Sequence, residues 1–417
     1  MTLLDRRNFH LFQPLLYQVA TGALSPADIC APLRGILSHQ KNVRVLLGEA
    51  ASIDPAAHCL KLVDGATFQY DSLIVATGSK TSYFRNPEWS EFAPSLKTVE
   101  EATQIRHKIL YAFEAAERLT SSEERTAWLT FAIVGGGATG VELAGALAEI
   151  AHHTLRHEFR AIRSADARIV MLDGGDRLLA GYPEDLSAKA EASLHRLQVE
   201  VMKGVRVVAV NLDGLTYQAS SGEHHSLAAK TVLWAGGVVV NTFGRKLAEA
   251  THAPTDKQGR IQVARDLTIP GFPDIYVVGD LADARDRHGK PLPGVAQVAI
   301  QGGAYAARAI LQRLKGRREI APFHYFDKGD LAVIGRGRAV ARIFRLHLSG
   351  LLAWLVWLFV HLMYLVQFQN RVVVFVQWGF QYLTFSRGAR LITGKIESDS
   401  VTSPGALENV PGQSKCR

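Results

Sequence analysis

The sequence predicts an α/β fold built on dinucleotide-binding sheets and completed by C-terminal amphipathic helices. Three observations carry that expectation. Residues 133–145 read IVGGGATGVELAG, placing Gly135-x-Gly137-x-x-Gly140 between an apolar run and a helical pattern. Strand, tight glycine turn and helix in that order offer helix N-terminal amides to a pyrophosphate. Three further apolar strands run straight into small residues, as ATG at 76–78, AGG at 235–237 and GD at 279–280. Small residues let the backbone approach a dinucleotide closely, and a carboxylate at a strand end can hold sugar hydroxyls. The third observation is the apolar run at 348–366, with arginines ahead of it.

Residues 1–98 read as short strands and turns, clearest at 60–63 and 68–76. Val99–Arg118 has helical periodicity, and the polar stretch 120–125 reads as a hinge. From 128 to 240 the pattern is βαβ-rich: strand 129–134, the glycine turn with its helix, and strand 168–172 ending at Asp173. A helix at 184–197, strands within 199–210 and the strand Thr231–Trp234 complete it. Asp173 lies 38 residues after Gly135, beyond the roughly 20 of a compact unit, because 148–167 continues as a polar helical crossover. A carboxylate there accepts both ribose hydroxyls and repels a 2′-phosphate, which favours NADH over NADPH; Arg177 nearby argues the other way. The expected segments are 1–127, 128–240, 241–341, 342–394 and a disordered tail over 395–417.

A length of 417 residues with 47% hydrophobic content supports two or three domains. The net charge of +8 includes Arg336, Arg338, Arg342 and Arg345 just before the apolar segment. That placement points to anionic lipid headgroups and away from nucleic acid. Cys30, Cys59 and Cys416 include no close pair, so neither a disulfide framework nor electron transfer through a dithiol is indicated. His152, His153 and His157 lack an HExxH pattern and a placed carboxylate, so they read as a solvated helix face and no metal site is expected.

In this order the motifs resemble the two-dinucleotide-binding-domain flavoproteins. Within them the chain is most similar to the type II NADH:quinone oxidoreductase family, single-subunit enzymes that pump no protons. The resemblance rests on LLDRRNFHLFQPLLYQVATG at 3–22, YDSLIVATGS at 70–79, the glycine turn and DIYVVGD at 274–280. It continues through AQVAIQ at 296–301, FDKGDLAVIGRGRAV at 326–340 and the apolar C-terminal region. It implies a tandem Rossmann-like fold with an NADH domain inserted in an FAD domain. It also implies hydride transfer from NADH to FAD, then two electrons to a membrane quinone. The family opens with a further glycine turn ahead of the strand that ends at Asp5, so about thirty residues of a compact βαβ unit are expected to be missing. Two alternatives stay open: a sulfide:quinone oxidoreductase, disfavoured by the absence of paired cysteines, and a non-catalytic NADH-binding remnant.

The resemblance assigns roles by residue. Asp5 would hold the FAD adenosine ribose, Thr77 and Gly78 would lie by the flavin, and Gly279 and Asp280 would meet the FAD ribityl chain. Gly135, Gly137 and Gly140 would take the NADH pyrophosphate and Asp173 its ribose. Glu142, expected in the first turn of its helix, would position NADH or move a proton; a plain dipole-stabilised carboxylate there is worth about 0.3–1 kcal/mol. Gln297 and Gln301 are four apart, so their amides share one helix face and can bond a quinone carbonyl. Lys328 would stabilise negative charge on the reduced flavin or quinone.

As a helix, 348–366 would be about 28 Å long, close to the roughly 30 Å hydrocarbon core. Ser349, Ala353, Trp357, His361 and Tyr364 recur every three or four residues and make one face less apolar, which suits a helix lying in the interface. A second apolar segment, 372–385, carries Gln377 and Gln381 on one face and is short for a span. Arg342 and Arg345 precede the pair and Arg387 and Arg390 follow it, so a single crossing would break the positive-inside rule. Flat attachment to the cytoplasmic face of the inner membrane removes that conflict. A homodimer is compatible with the same reading.

Overall fold

Strand Thr130–Val134 is buried at all five positions because it lies inside a four-stranded parallel sheet. The order is Val199–Lys203, Arg168–Asp173, Thr130–Val134, Thr231–Trp234. Strands covered on both faces read as continuous apolar runs, as this one does. The computed structural model describes residues 1–317 and 319–393, and the tail expected over 395–417 lies outside them. The chain divides into two units, one of Met1–His10, Ala31–Ser82 and Gly237–Gly329, the other of Leu11–Cys30, Tyr83–Gly236 and the residues from Asp330 on.

The parallel sheet belongs to the second unit. Helices Val99–Arg118, Ala138–Glu149 and Glu184–Arg196 pack on it. The first of these starts where expected, since Thr98 Oγ1 accepts from Glu101 N (3.2 Å) while Glu101 Oε2 accepts from Thr98 N (2.8 Å). That reciprocal cap fixes the N-terminus. Leu11–Cys30, grouped by sequence with the first segment, packs here instead. All five residues of its helix Leu16–Ala20 are buried, and that helix lies against Val99–Arg118.

The C-terminal part of this unit is an antiparallel sheet, Asp330–Gly335, Arg338–Ile343 and Leu346–Ser349, followed by helices Gly350–Tyr364 and Phe368–Thr384. Ala353, Trp357, Val374 and Trp378 are buried, whereas Leu351, Leu352, Leu355, Phe359, Phe375, Phe380 and Leu383 are exposed. The less apolar face anticipated at Ala353, Trp357 and His361 therefore points inward. Among the described residues no helix is long and apolar enough to cross a membrane. Two of the four arginines expected to face lipid are committed within the protein: Arg342 pairs with Asp330 (2.6 Å), and Arg336 stacks over Tyr382 (4.2 Å) and Phe385 (4.0 Å).

Three local expectations change. The crossover 148–167 is α-helical only to Glu149, then makes a π turn over Ile150–Thr154. Beyond it Glu117 accepts the amides of Arg160, Ala161 and Ile162 (2.8–3.1 Å), so this backbone bonds to a side chain instead of to itself. The three histidines thus share no solvated helix face: His152 turns its Nε2 inward and His153 stacks on Phe385 (4.8 Å). Residues 68–76 form two strands, Thr67–Gln69 and Leu73–Val75, which belong to different sheets. The hinge at 120–125 is largely the helix Ser122–Trp128, capped by Ser121.

In the first unit, Leu73–Val75 pairs in parallel with Phe272–Val277, and Thr2–Asp5 pairs in parallel with Arg44–Leu47. Tyr276, Val277, Leu247, Leu281 and Ala306 are buried in its core, beneath helices Thr242–Thr251 and Ala296–Leu314.

Candidate functional site

The glycine turn of the second unit is dictated by steric contacts. Gly135 has φ +114°, and a Cβ there would meet the backbone of Ala235 and Gly236 at 2.7 Å. A Cβ on Gly140 would stand 1.9 Å from Gly135 O, so the helix can approach the strand this closely only with glycine. Gly137 is the N-cap of Ala138–Glu149 and has open space where its Cβ would point. A cradle closed by glycines on one side and open at the helix N-terminus fits a pyrophosphate. Asp173 ends the neighbouring strand, and its carboxylate accepts from Gly136 N (2.5 Å) and Gly175 N (2.7 Å). Arg177 donates to the carbonyls of Ala180 (2.7 Å) and Tyr182 (2.8 Å).

Glu142 is the fifth residue of the helix, one turn further in than expected. It lines a cavity together with Tyr17, Glu149, Arg336, Trp357 and Trp378. Burial pushes its carboxyl up to about 8, and the Val333 amide and Trp357 indole oppose that shift without cancelling it. The neutral form of Glu142 is therefore favoured at neutral pH over the dipole-stabilised anion. Burial, with help from the Glu142 charge, also raises the Tyr17 phenol. One wall is a hydrogen-bond chain in which Trp378 Nε1 donates to Gln18 Oε1 (2.7 Å) and Gln18 Nε2 to Tyr17 Oη (2.9 Å).

The second set of predicted residues gathers in the first unit. Gly78 (φ +66°) has open space where its Cβ would point, and Gly279 (φ +69°) passes so close to the glutamine-bearing helix that a Cβ would lie 3.1 Å from Ala299 Cβ. Asp280 Oδ2 accepts from Ser79 Oγ (2.8 Å), which joins the two strand ends. Asn241 donates to Thr77 O (2.8 Å) and Gly78 O (3.0 Å), while its Oδ1 accepts from Gly244 N (2.9 Å). Asp5 closes its own strand and accepts from Arg7 N (2.8 Å).

Gln297 and Gln301 are the second and sixth residues of Ala296–Leu314. They are not equivalent, as the four-residue spacing suggested. Gln301 Nε2 donates to Phe326 O (3.0 Å) and its Oε1 accepts from Phe326 N (2.9 Å). Gln297 Oε1 is buried without a hydrogen-bond partner among the described residues. Lys328 is exposed, at a turn in which Asp327 Oδ1 accepts from Gly329 N (2.9 Å).

Comparison with known proteins shows the family of the chain that carries these two glycine-lined sites. Residues 1–303 match the pyridine nucleotide-disulphide oxidoreductase model, and residues 328–387 match the NDH2 C-terminal domain. The type II NADH:quinone oxidoreductase Ndh of Mycobacterium tuberculosis is 44% identical over 94% of this chain and 84% of its own length. The chain belongs to the type II NADH:quinone oxidoreductase family. In fold it is similar to NDH2 from Plasmodium falciparum in complex with NADH (TM-score 0.84, 22% identity, 93% and 94% of the two chains). A more distant likeness is to the sulfide:quinone oxidoreductase of Aquifex aeolicus (TM-score 0.69, 17% identity, 93% and 86%). The expected lack of a first glycine turn is not borne out by these comparisons, in which the oxidoreductase match runs from residue 1.

In this type II NADH:quinone oxidoreductase some side chains that tie the strand ends together left little mark in the sequence. Ser79 and Asn241 are two of them. Asn241 stands between an apolar strand and a helix, the position of an N-cap, so a capping signal was present. Its second function, holding the Thr77 and Gly78 carbonyls, spans 163 residues or more and left no local mark.

Proposed function

We propose that this chain carries out the family's NADH:quinone oxidoreductase reaction with NADH bound at the 135–140 turn and FAD held by the first unit. The supporting observation is the Gly135–Gly140 contact, a backbone approach that serves a phosphate-binding turn and leaves Gly137 open toward a ligand. Bound FAD supplies a ring that accepts two electrons from a nicotinamide and yields them to a quinone.

The protein's own groups bind, orient and hold protons. Asp173 takes the adenosine ribose of NADH. Arg177 is occupied by two backbone carbonyls, which leaves a 2′-phosphate without its cation and favours NADH. Asp280, oriented by Ser79, holds ribityl hydroxyls, Asp5 the FAD adenosine ribose, and Thr77 and Gly78 line the flavin. Glu142 keeps a proton below about pH 8, and quinone reduction by NADH consumes one proton from outside the two substrates. The AQVAIQ helix receives the quinone, with Lys328 as the positive group. Anaerobic mixing with NADH should bleach the flavin bands and added quinone should restore them. A folded, flavin-loaded protein that NADH leaves unbleached would sink this reading.

The same reading puts the two C-terminal helices flat on the cytoplasmic face of the membrane, where the exposed Leu355, Phe359, Phe375 and Phe380 insert among lipid tails. Flotation with lipid vesicles checks it. Phe359→Ser with Phe380→Ser should release the protein; unchanged flotation would count against attachment by these faces, and a lipid-free particle of twice the mass would assign them to a homodimer.

A further inference from the structure

The two glutamines of the AQVAIQ helix sit in opposite hydrogen-bonding states. Gln301 meets the peptide unit of Phe326 edge to edge, Nε2 to the carbonyl at 3.0 Å and Oε1 from the amide at 2.9 Å. A side-chain amide used in this way closes a loop as one rung of a β-ladder would, across 25 residues. The backbone immediately beyond it is held locally by a side chain. Asp327 Oδ1 caps Gly329 N at 2.9 Å, Gly329 has φ +107°, and Lys328 stands exposed between them. The Gln301 rung and the Asp327–Gly329 bond thus bracket Lys328 on its two sides.

Gln297 has no such commitment. Its Oε1 is buried and unpartnered among the described residues, a state that carries the desolvation penalty of a lone acceptor. The hydroxyl of a quinol product can donate to that atom and remove the penalty, while the carbonyl of the quinone itself, an acceptor, can pair only with the Nε2 of the same amide. An amide already paired at both heteroatoms, as in Gln301, gains less from the same ligand.

We infer that the pair divides its work: Gln297 presents its amide to the quinone, and Gln301 is a positioning residue that pins the Phe326–Gly329 turn and thereby Lys328. The inference rests on AQVAIQ being the quinone-binding helix. Gln301 then acts through the backbone of another segment, and its removal lets Lys328 wander instead of deleting a ligand contact.

The test combines amide exchange with quinone kinetics on the full-length, flavin-loaded enzyme. Gln301→Leu should speed exchange of the Phe326 amide by tenfold or more and lower kcat/KM for a short-chain quinone about tenfold, the size of one lost hydrogen bond. Its effect should not add to that of Lys328→Met. Gln301→Glu keeps the acceptor for Phe326 N–H and should fall between Leu and wild type in both readouts, which guards against a variant that fails to fold. Gln297→Leu should lower kcat/KM for quinone by a similar factor, leave Phe326 exchange unchanged, and add to Lys328→Met. If Gln301→Leu leaves Phe326 exchange unchanged, or its kinetic effect adds fully to Lys328→Met, the positioning role is wrong. If neither glutamine variant alters quinone kinetics while Phe326 exchange responds as expected, the quinone reading of the helix fails and the division of work falls with it.

Discussion

Arg387 Nη2 lies 2.9 Å from Glu149 Oε2 across 238 residues of sequence. The two side chains are only 9% and 16% exposed. Glu149 ends the helix that begins at the glycine turn, and its other oxygen accepts the Arg336 amide. Arg387 also donates to Thr21 O (3.2 Å). Burial draws the guanidinium pKa down while the Glu149 charge pushes it back up, so the pair is held by mutual need in a poorly solvated place. One end of the glycine-turn helix is therefore fastened to the segment that follows the apolar helices.

Breaking that pair from one side should be costly. Arg387→Met leaves a buried carboxylate without its cation and should destabilise the second unit by about 3–5 kcal/mol. Adding Glu149→Leu removes the stranded charge and should return a large part of that loss. Denaturant unfolding in a fixed detergent reads both; a double variant as unstable as Arg387→Met alone would mean that the guanidinium matters for its contact with Thr21 and not for Glu149.

Gly137 and Gly140 should respond differently to the same added methyl. At Gly140 a Cβ would overlap the Gly135 carbonyl at 1.9 Å, so Gly140→Ala should lower the melting temperature as well as NADH affinity. At Gly137 the φ of −73° suits alanine and the space is open, so Gly137→Ala should melt like wild type while NADH binds more weakly. Hydrogen bonds to a charged phosphate are worth about 1.5–3 kcal/mol, which sets the expected weakening at roughly 10- to 150-fold. Equal NADH affinity in Gly137→Ala and wild type would remove the pyrophosphate from this turn.

Nucleotide choice should follow Asp173. Its two oxygens already hold Gly136 N and Gly175 N, so it is fixed where a ribose diol would meet it. Asp173→Asn removes the negative charge and one acceptor. It should raise KM for NADH and narrow the preference over NADPH by about tenfold, the size of one charge-assisted hydrogen bond. Steady-state rates with both nucleotides measure the ratio; an unchanged ratio would assign discrimination to other residues.

What was legible in the chain follows the range of the interactions involved. The glycine turn shows because its constraint is steric and local: Gly135 and Gly140 exclude a Cβ within five residues of each other. Helix Val99–Arg118 shows because Thr98 and Glu101 write its start three residues apart. The crossover beyond Glu149 carries a helical pattern that the fold does not follow, since the Glu117 carboxylate that captures its amides comes from 43 residues upstream. Leu11–Cys30 could not be assigned to the second unit from its own pattern, because its cover is the distant Val99–Arg118 helix. The spacing of Gln297 and Gln301 suggested one face and one role, but Phe326, far along the chain, separates their hydrogen-bonding states.

Glu142 gives the protein a pH dependence whose sign is set by burial. Its carboxyl rises from 4.5 to about 8 in the folded chain. Between those values the folded state holds a proton that the unfolded state has released, so stability falls as pH rises through this window and levels off above about 8. Glu142→Gln stays neutral throughout and should abolish that part of the slope, gaining stability relative to wild type above pH 8 and matching it near pH 4.5. In the variant catalysis and stability should part: the wild-type rate of quinone reduction should fall as pH passes about 8, whereas the variant, unable to give up a proton, should be slow at every pH although it is the more stable protein at high pH. Unfolding curves and turnover collected across the same pH series separate the two effects. A wild-type protein whose stability is flat from pH 5 to 8, with a variant that tracks it, would show that the carboxyl titrates normally and that the cavity admits more water than its aromatic lining suggests.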